Sequence, residues 1–285
     1  MINTMYLKVT EGCNLKCPFC YVTQKKSLLD KETAFACIEK YRPETIIFHG
    51  GEPLLSSETI ELEMAIMDRF PEINYSITSN LSMPLTSDRL QVLNRCSIAT
   101  SYSVDRFKEQ GMKLFKKNLE LLNKDHDITL LVTLSRPQLK EAPEKLAEII
   151  KSLGCRYVLF ERLFEDGAGR ELYEATDEYL LALMKLIPEE QNVLLHQMME
   201  AIELHVPVFS TTCDCSVVTI NSDGSTQACP NTCKIKRKTL SHRECLNCPA
   251  NEYCRGDCLS FQTVCSFPIK TFTYIKENCY GCKNR

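Results

Sequence analysis

Short β-rich runs of apolar and β-branched residues recur at 5–10, 45–49, 73–79, 97–104, 128–134 and 156–161. Runs of this length and composition predict strands. Between them the apolar spacing changes to that of a helix. Ala34, Cys37, Ile38 and Tyr41 recur at i, i+3, i+4 and i+7, with Asp30 placed to cap the start. Leu146, Ile149, Ile150 and Leu153 share a face of a helix opened by Pro143 and closed by Gly154. Two further helices, separated near Pro188, are predicted between about 177 and 205. Parallel strands need crossovers, so six βα units in succession predict an α/β fold with a parallel sheet. Six units are fewer than the eight of a closed barrel. The expectation is an open, partial (βα)6 TIM-like barrel over 1–205, with its chemistry at the carboxyl ends of the strands.

From residue 206 the pattern breaks down into short β-like pieces with few apolar runs and cysteines every few positions. A segment of this kind, 206–285, has too little core to fold unaided, and bound metal would supply the missing stabilisation. It is predicted to be a small C-terminal Cys-rich iron–sulfur domain.

Composition narrows the classes. The chain has 285 residues, 44% hydrophobic and 25% charged, which excludes a disordered reading. Its 34 basic and 37 acidic residues give a formal net charge of -3, so no nucleic-acid partner is expected. No apolar run approaches the roughly 18–20 residues that cross a bilayer, and the opening residues carry no secretory signal. The expectation is a cytoplasmic protein with no membrane partner. Seventeen cysteines are several times ordinary usage, and eleven of them lie between Cys213 and Cys282. The number is odd and no signal routes the chain to an oxidising compartment, so metal ligation is favoured over a disulfide framework.

Directly after the first strand comes EGCNLKCPFCY, with Cys13, Cys17 and Cys20 spaced C-x3-C-x2-C. Three thiolates on one loop can hold three irons of a [4Fe–4S] cluster and leave the fourth open to a small molecule. A zinc knuckle completed by a distant ligand is the alternative. The loop resembles that of the radical S-adenosylmethionine (SAM) enzymes, where it also follows strand one and an aromatic residue precedes the third cysteine, as Phe19 does here. A second motif agrees: Gly50, Gly51, Glu52 and Pro53, after strand two, are similar to the family's GGEP loop, which binds the SAM amino group. The resemblance implies a catalytic cluster on Cys13, Cys17 and Cys20 that binds SAM and cleaves it reductively. The resulting 5′-deoxyadenosyl radical then takes a hydrogen atom from the substrate. It also implies SAM contacts from Ser79 and Asn80 after strand three, Ser103 and Asp105 after strand four, and Thr133, Ser135 and Arg136 after strand five. Each of these is equally compatible with ordinary loop capping. Glu161, closing strand six beside Arg162, falls where relatives face substrate, and an ion pair between the two is the alternative.

Further on, Cys213 and Cys215 are followed by Gly224-x4-Cys229 and Cys245-x2-Cys248-x5-Cys254-x3-Cys258. This arrangement resembles the SPASM extension of radical SAM enzymes, which carries two auxiliary [4Fe–4S] clusters. The resemblance implies Cys213, Cys215, Cys229 and Cys258 for the first, and Cys245, Cys248, Cys254 and a later cysteine for the second. Cys265 is favoured over Cys279 or Cys282, and Cys233 is unassigned. Cys37, Cys96 and Cys155 read as buried small hydrophobes.

SPASM enzymes mostly modify peptides, so the resemblance implies a radical SAM oxidoreductase that acts as a peptide maturase, forming thioether or side-chain cross-links in a ribosomally made peptide. Pro230 stands where formylglycine-generating relatives carry an Asp base, which disfavours that reaction. Strand one begins near Met5, leaving no room ahead of it for a leader-binding domain. The peptide would then lack a leader, be recognised by another surface, or be delivered by a separate leader-binding protein. A dehydrogenase or rearrangement enzyme on a small molecule is a second reading, and a zinc-stapled binding module a third. A flavodoxin- or ferredoxin-type electron donor is implied by the family.

Overall fold

The computed structural model describes residues 2–20, 22, 24–162, 170–204 and 216–227. Along the chain run β1 (Thr4–Thr10), α1 (Lys31–Tyr41), β2 (Thr45–Gly50), α2 (Ser57–Arg69), β3 (Asn74–Ser79) and α3 (Ser87–Leu93). There follow β4 (Ser97–Tyr102), α4 (Glu109–Leu122), β5 (Thr129–Leu134), α5 (Pro143–Leu153) and β6 (Tyr157–Arg162). The last are α6 (Arg170–Leu186), α7 (Val193–Leu204), β7 (Val217–Ile220) and β8 (Thr226–Gln227). All six predicted strands form. Asp30 caps α1 by accepting from Thr33 N at 2.9 Å, and Gly154 leaves α5 at φ 68°. α6 starts at Arg170, earlier than about 177, its first turns carrying the helix formers Arg170, Glu171, Leu172, Glu174 and Ala175.

The described residues group into two compact units, one drawn from 2–133, 152–156 and 216–227, the other from 134–151, 157–162 and 170–204. In the first, the strand order is β5-β4-β3-β2-β1-β7-β8, all parallel except the β7–β8 pair. Consecutive strands are neighbours, so each crossover helix covers the sheet and the fold is α/β. β7 comes from the segment expected to form the Cys-rich domain, yet it pairs with the free side of β1, Thr4 against Val217.

The two faces of this sheet differ in chemistry. Leu7, Phe48, Ile77 and Ile98 line up in register, all buried. Phe48 stacks on Tyr75 at 5.6 Å, and the Tyr75 hydroxyl donates to Phe70 O at the end of α2 at 2.7 Å, so this is the face that α2 covers. On the other face Lys8 pairs with His49, whose ring meets Tyr6 edge-on at 6.0 Å. Lys8 is 5% exposed, and Ser101 and Thr133 are buried too, so polar side chains fill a face that an all-apolar core would not tolerate without partners.

In the second unit, Tyr179, Leu180, Leu183 and Met184 of α6 are buried, and the Tyr179 hydroxyl accepts from Gln138 Nε2 at 3.1 Å. Val158 N of β6 donates to Gln191 O at 2.7 Å. Among the described residues no helix is long and apolar enough to cross a membrane.

Candidate active site

The loop that carries Cys13, Cys17 and Cys20 is an excursion closed at its base. Leu29 N returns to Val9 O at 2.9 Å, and Thr10 Oγ1 donates to Ser27 O at 2.5 Å. Inside it Cys20 N donates to Cys17 O at 3.1 Å, a tight turn, and Gln24 Nε2 holds Leu15 O at 2.6 Å. All three cysteines are free thiols; Cys13 and Cys17 are half-buried and Cys20 is exposed. Phe19 is half-buried.

The β2 loop is strapped to this excursion. Gly51 N donates to Thr10 O and Glu52 N to Gly12 O, both at 2.8 Å. The approach is closer than any side chain permits: a Cβ on Gly51 would lie 2.0 Å from Gly12 O, and one on Gly50, at φ 132°, 2.1 Å from Thr10 O. The two glycines therefore let the cysteine loop and the β2 loop meet backbone to backbone. Pro53 is buried behind them.

Glu52 is fully buried and turns toward β3. Its carboxylate accepts from Ser79 Oγ at 2.7 Å, Asn80 N at 2.8 Å and Leu54 N at 3.2 Å. Burial raises its pKa, opposed by these donors and by the Arg106 guanidinium. Asn80 reaches the cysteine loop: its Nδ2 lies 2.8 Å from Asn14 Oδ1 and 3.8 Å from Cys13 Sγ. Ser79 and Asn80 thus meet Glu52 and the cysteine loop.

After β4, Ser103 is fully buried with its Oγ unpartnered among the described residues, and Asp105 is half-buried. Arg106 follows, its Nε buried and likewise unpartnered. Burial raises the Cys13 and Cys17 thiols, and the Arg106 charge opposes the rise at both. His49 is pushed down to about 4 by burial, with Lys8 and Arg106 adding to the effect, so it is neutral at neutral pH.

Thr133 lies at the end of β5 in the first unit. Ser135, Arg136 and Glu161 belong to the second; Ser135 is buried, and Arg136 and Glu161 are exposed. Cys213, Cys215, Cys229, Cys245, Cys248, Cys254, Cys258 and Cys265, with Cys233, Cys279 and Cys282, lie outside the described residues. Cys96 and Cys155 are buried, each thiol pushed up to about 12 by burial, and Cys37 is half-buried. Asn14, Ser82 and Arg106 are parts of the site that sequence reasoning missed. Asn14 hides among the variable positions of C-x3-C, and Arg106 follows directly on the Ser-x-Asp triplet.

Among the described residues no three His, Cys, Asp or Glu side chains converge as ligands of a single ion. Each thiolate of a [4Fe–4S] cluster binds its own iron, so a three-thiol loop with N–H donors and a nearby cation fits that group without a common point.

Residues 7–118, which span β1 to α4 and include both loops, match the model of the Radical SAM superfamily. A GTP 3′,8-cyclase of Sulfurimonas denitrificans is 22% identical over 204 residues, 65% of this chain and 63% of that protein. An uncharacterized protein of Archaeoglobus fulgidus is 25% identical over 158 residues, 50% of this chain and 37% of its own length. The chain therefore spans less than two thirds of either relative. Among solved structures, Streptococcus suis SuiB superposes with a TM-score of 0.61 at 13% identity, covering 93% of this chain and 75% of SuiB. SuiB bound to S-adenosylmethionine and SuiB bound to precursor peptide SuiA each give 0.57 at 14% identity, again over 93% of this chain, and cover 75% and 73% of those chains. At such identities the likeness is one of fold.

Proposed function

With a Radical SAM superfamily domain as the premise, which implies an enzyme using a [4Fe–4S] cluster and SAM, we propose that this chain is a radical SAM oxidoreductase. In this reading an open, partial barrel carries the catalytic cluster on Cys13, Cys17 and Cys20, and residues 206–285 form a SPASM domain. The observation that carries it is the strap between the two motif loops, Gly51 N to Thr10 O and Glu52 N to Gly12 O. Two motifs far apart in sequence are locked backbone to backbone at the carboxyl ends of adjacent parallel strands, where such folds place chemistry.

Cys13, Cys17 and Cys20 would hold the cluster, which would supply the electron for reductive SAM cleavage and so the radical chemistry that removes a substrate hydrogen. The chain's own residues prepare the place. Three thiols present one ligand per iron, and the Arg106 charge opposes the rise that burial causes at Cys13 and Cys17. Glu52 holds the β3 end against the β2 loop, so Ser79, Asn80 and the glycine carbonyls form one wall of the SAM site. Ser103, Asp105, Ser135 and Arg136 are further candidates for SAM contact, and Glu161 for substrate. Cys213, Cys215, Cys229 and Cys258 would hold one auxiliary cluster, and Cys245, Cys248, Cys254 and Cys265 another. These would accept the electron that leaves substrate after hydrogen abstraction.

A peptide is the proposed substrate, supported by the fold shared with SuiB, which was crystallised with its precursor peptide SuiA. The relation to a GTP 3′,8-cyclase favours the second reading, a small molecule.

The test is anaerobic purification, an iron and sulfide count, and addition of SAM with dithionite. About twelve irons per chain and release of 5′-deoxyadenosine are expected. Changing Cys13, Cys17 and Cys20 together to Ala should abolish SAM cleavage and remove about a third of the iron. SAM cleavage that persists in this variant overturns the assignment.

A further inference from the structure

Asn80 is 2% exposed and every polar atom of its amide is engaged. Its Oδ1 accepts from Ser82 N at 2.9 Å and from Ser82 Oγ at 2.5 Å, and its Nδ2 donates to Asn14 Oδ1 at 2.8 Å. Asn14 closes the ring by donating from Nδ2 to Ser82 Oγ at 2.9 Å. Leu81 turns the chain back at φ 49°, which brings Ser82 N to the Asn80 side chain. The ring fixes which way the amide points. A flipped Asn80 would set its NH2 against Ser82 N–H and its oxygen against Asn14 Oδ1, losing the contacts on both sides. In the favoured orientation Nδ2 lies 3.8 Å from Cys13 Sγ, beside the Leu15 N–H, which donates to the same sulfur at 3.4 Å.

We propose that Asn80 is a positioning residue that sets the reduction potential of the cluster on this loop: its amide N–H, aimed by Asn14 and Ser82, donates to the Cys13 sulfur. The proposal rests on the assignment of a cluster to Cys13, Cys17 and Cys20. The physical reason is charge. Reduction adds one electron, part of which spreads to the thiolate sulfurs, and an N–H donor stabilises the more negative state more. Hydrogen bonds to charged acceptors are worth more than neutral ones, and this one is partly shielded from water. The donor therefore makes the cluster easier to reduce, and its loss makes reduction harder with no ligand removed. Asn14, which lies between two of the ligands in sequence, aims the Asn80 amide, and its own Oδ1 lies 3.9 Å from Cys13 Sγ.

The experiment compares wild type with Asn80→Ala, Asn80→Asp and Asn14→Ala, each purified anaerobically with its clusters. The measurement is an EPR-monitored redox titration of the cluster signal that disappears when Cys13, Cys17 and Cys20 are replaced. Asn80→Ala is expected to lower the reduced-to-oxidised ratio at a fixed poise about tenfold, a shift of about 59 mV for one electron. Asn80→Asp keeps the shape and the Ser82 contacts but loses the donor and adds charge, so it should shift at least as far. Asn14→Ala leaves the donor but not its aim, and about a threefold change is expected. An unmoved potential in Asn80→Ala and Asn80→Asp, with iron content at the wild-type value, overturns the role of Asn80 alone. A wild type with no iron on the loop overturns the cluster assignment, and the proposal with it. If Asn80→Ala fails to retain the cluster, Asn14→Ala decides: a lowered potential supports the proposal, and an unmoved or raised one overturns it.

Discussion

Glu52 and Glu63 are both completely buried, one at the end of β2 and the other in the middle of α2, and their surroundings are opposite. Glu52 accepts three hydrogen bonds, whereas neither oxygen of Glu63 has a polar partner among the described residues. Burial raises the pKa of both. At Glu52 the donors and Arg106 oppose the rise, and its charge then adds to the rise at Glu63, which is held well above the carboxylate range. Burial alone does not decide what an acid can do; the donors around it do. Glu52 can carry charge and organise a loop, while Glu63 stays a neutral side chain in the helix-covered face.

The largest way to break the contrast is Glu52→Ala. It strands Ser79 Oγ, Asn80 N and Leu54 N, and buried donors left unpaired cost about 1–3 kcal/mol each, so a loss of roughly 3 kcal/mol or more is expected in urea unfolding. Glu52→Gln keeps one acceptor and should lose about half as much. A loss below about 1 kcal/mol in the Ala variant would show that the three hydrogen bonds do not hold the loop.

Glu63→Met should act in the other direction. A raised folded pKa means that the stability contributed by the protonated acid is fully present below the unfolded value, 4.5, and is lost as pH rises through the folded one. The Met variant should therefore melt about 2–4 °C above wild type at pH 8, the shift that about 1 kcal/mol gives in a domain of a few hundred residues. The advantage should shrink toward pH 4.5. An equal shift at both pH values would mean that packing, not ionisation, separates the two glutamates.

The smallest effect is expected at His49, a base that sharpens the comparison because its linkage has the opposite sign. Its pKa is depressed to about 4, so the stability it contributes is present above 6.5 and lost as pH falls toward 4. His49→Phe, which keeps a ring against Tyr6, should flatten the fall in melting temperature across that window. An unchanged slope would remove His49 from the acid response.

Much of this molecule is legible in its sequence. Six β-rich runs place the strands, Asp30 and Gly154 mark helix ends, and the spacing of Cys13, Cys17 and Cys20 marks a ligand loop. Glu63 interrupts the stripe of Ile60, Glu63 and Met67, a break that sequence reasoning missed. What it meets there is not legible, since the partners of a helix face come from other elements. The glycine pair reads in sequence as part of a ligand loop. In the fold Gly50 and Gly51 first of all clear Thr10 O and Gly12 O, contacts that exist only once β1 and β2 lie in parallel register. Asn14, Ser82 and Arg106 escape for the same reason: polar loop residues acquire a role from neighbours that sequence distance conceals. β7 is hidden because four residues, VVTI, sit in a cysteine-rich stretch with no periodicity to extend them.

That short strand has a consequence for how the protein is made. β1 leaves the ribosome ahead of β2 and acquires it soon after, but the other side of Thr4–Leu7 waits for Val217, about 210 positions later. At about 5–20 residues per second that interval is on the order of 10–40 s. Throughout it the nascent chain displays unpaired backbone donors and acceptors along Thr4–Leu7, a template that a neighbouring chain can extend. Arrival of β7 and β8 ends the exposure, so the short late strand protects the first-made strand of the sheet from self-association.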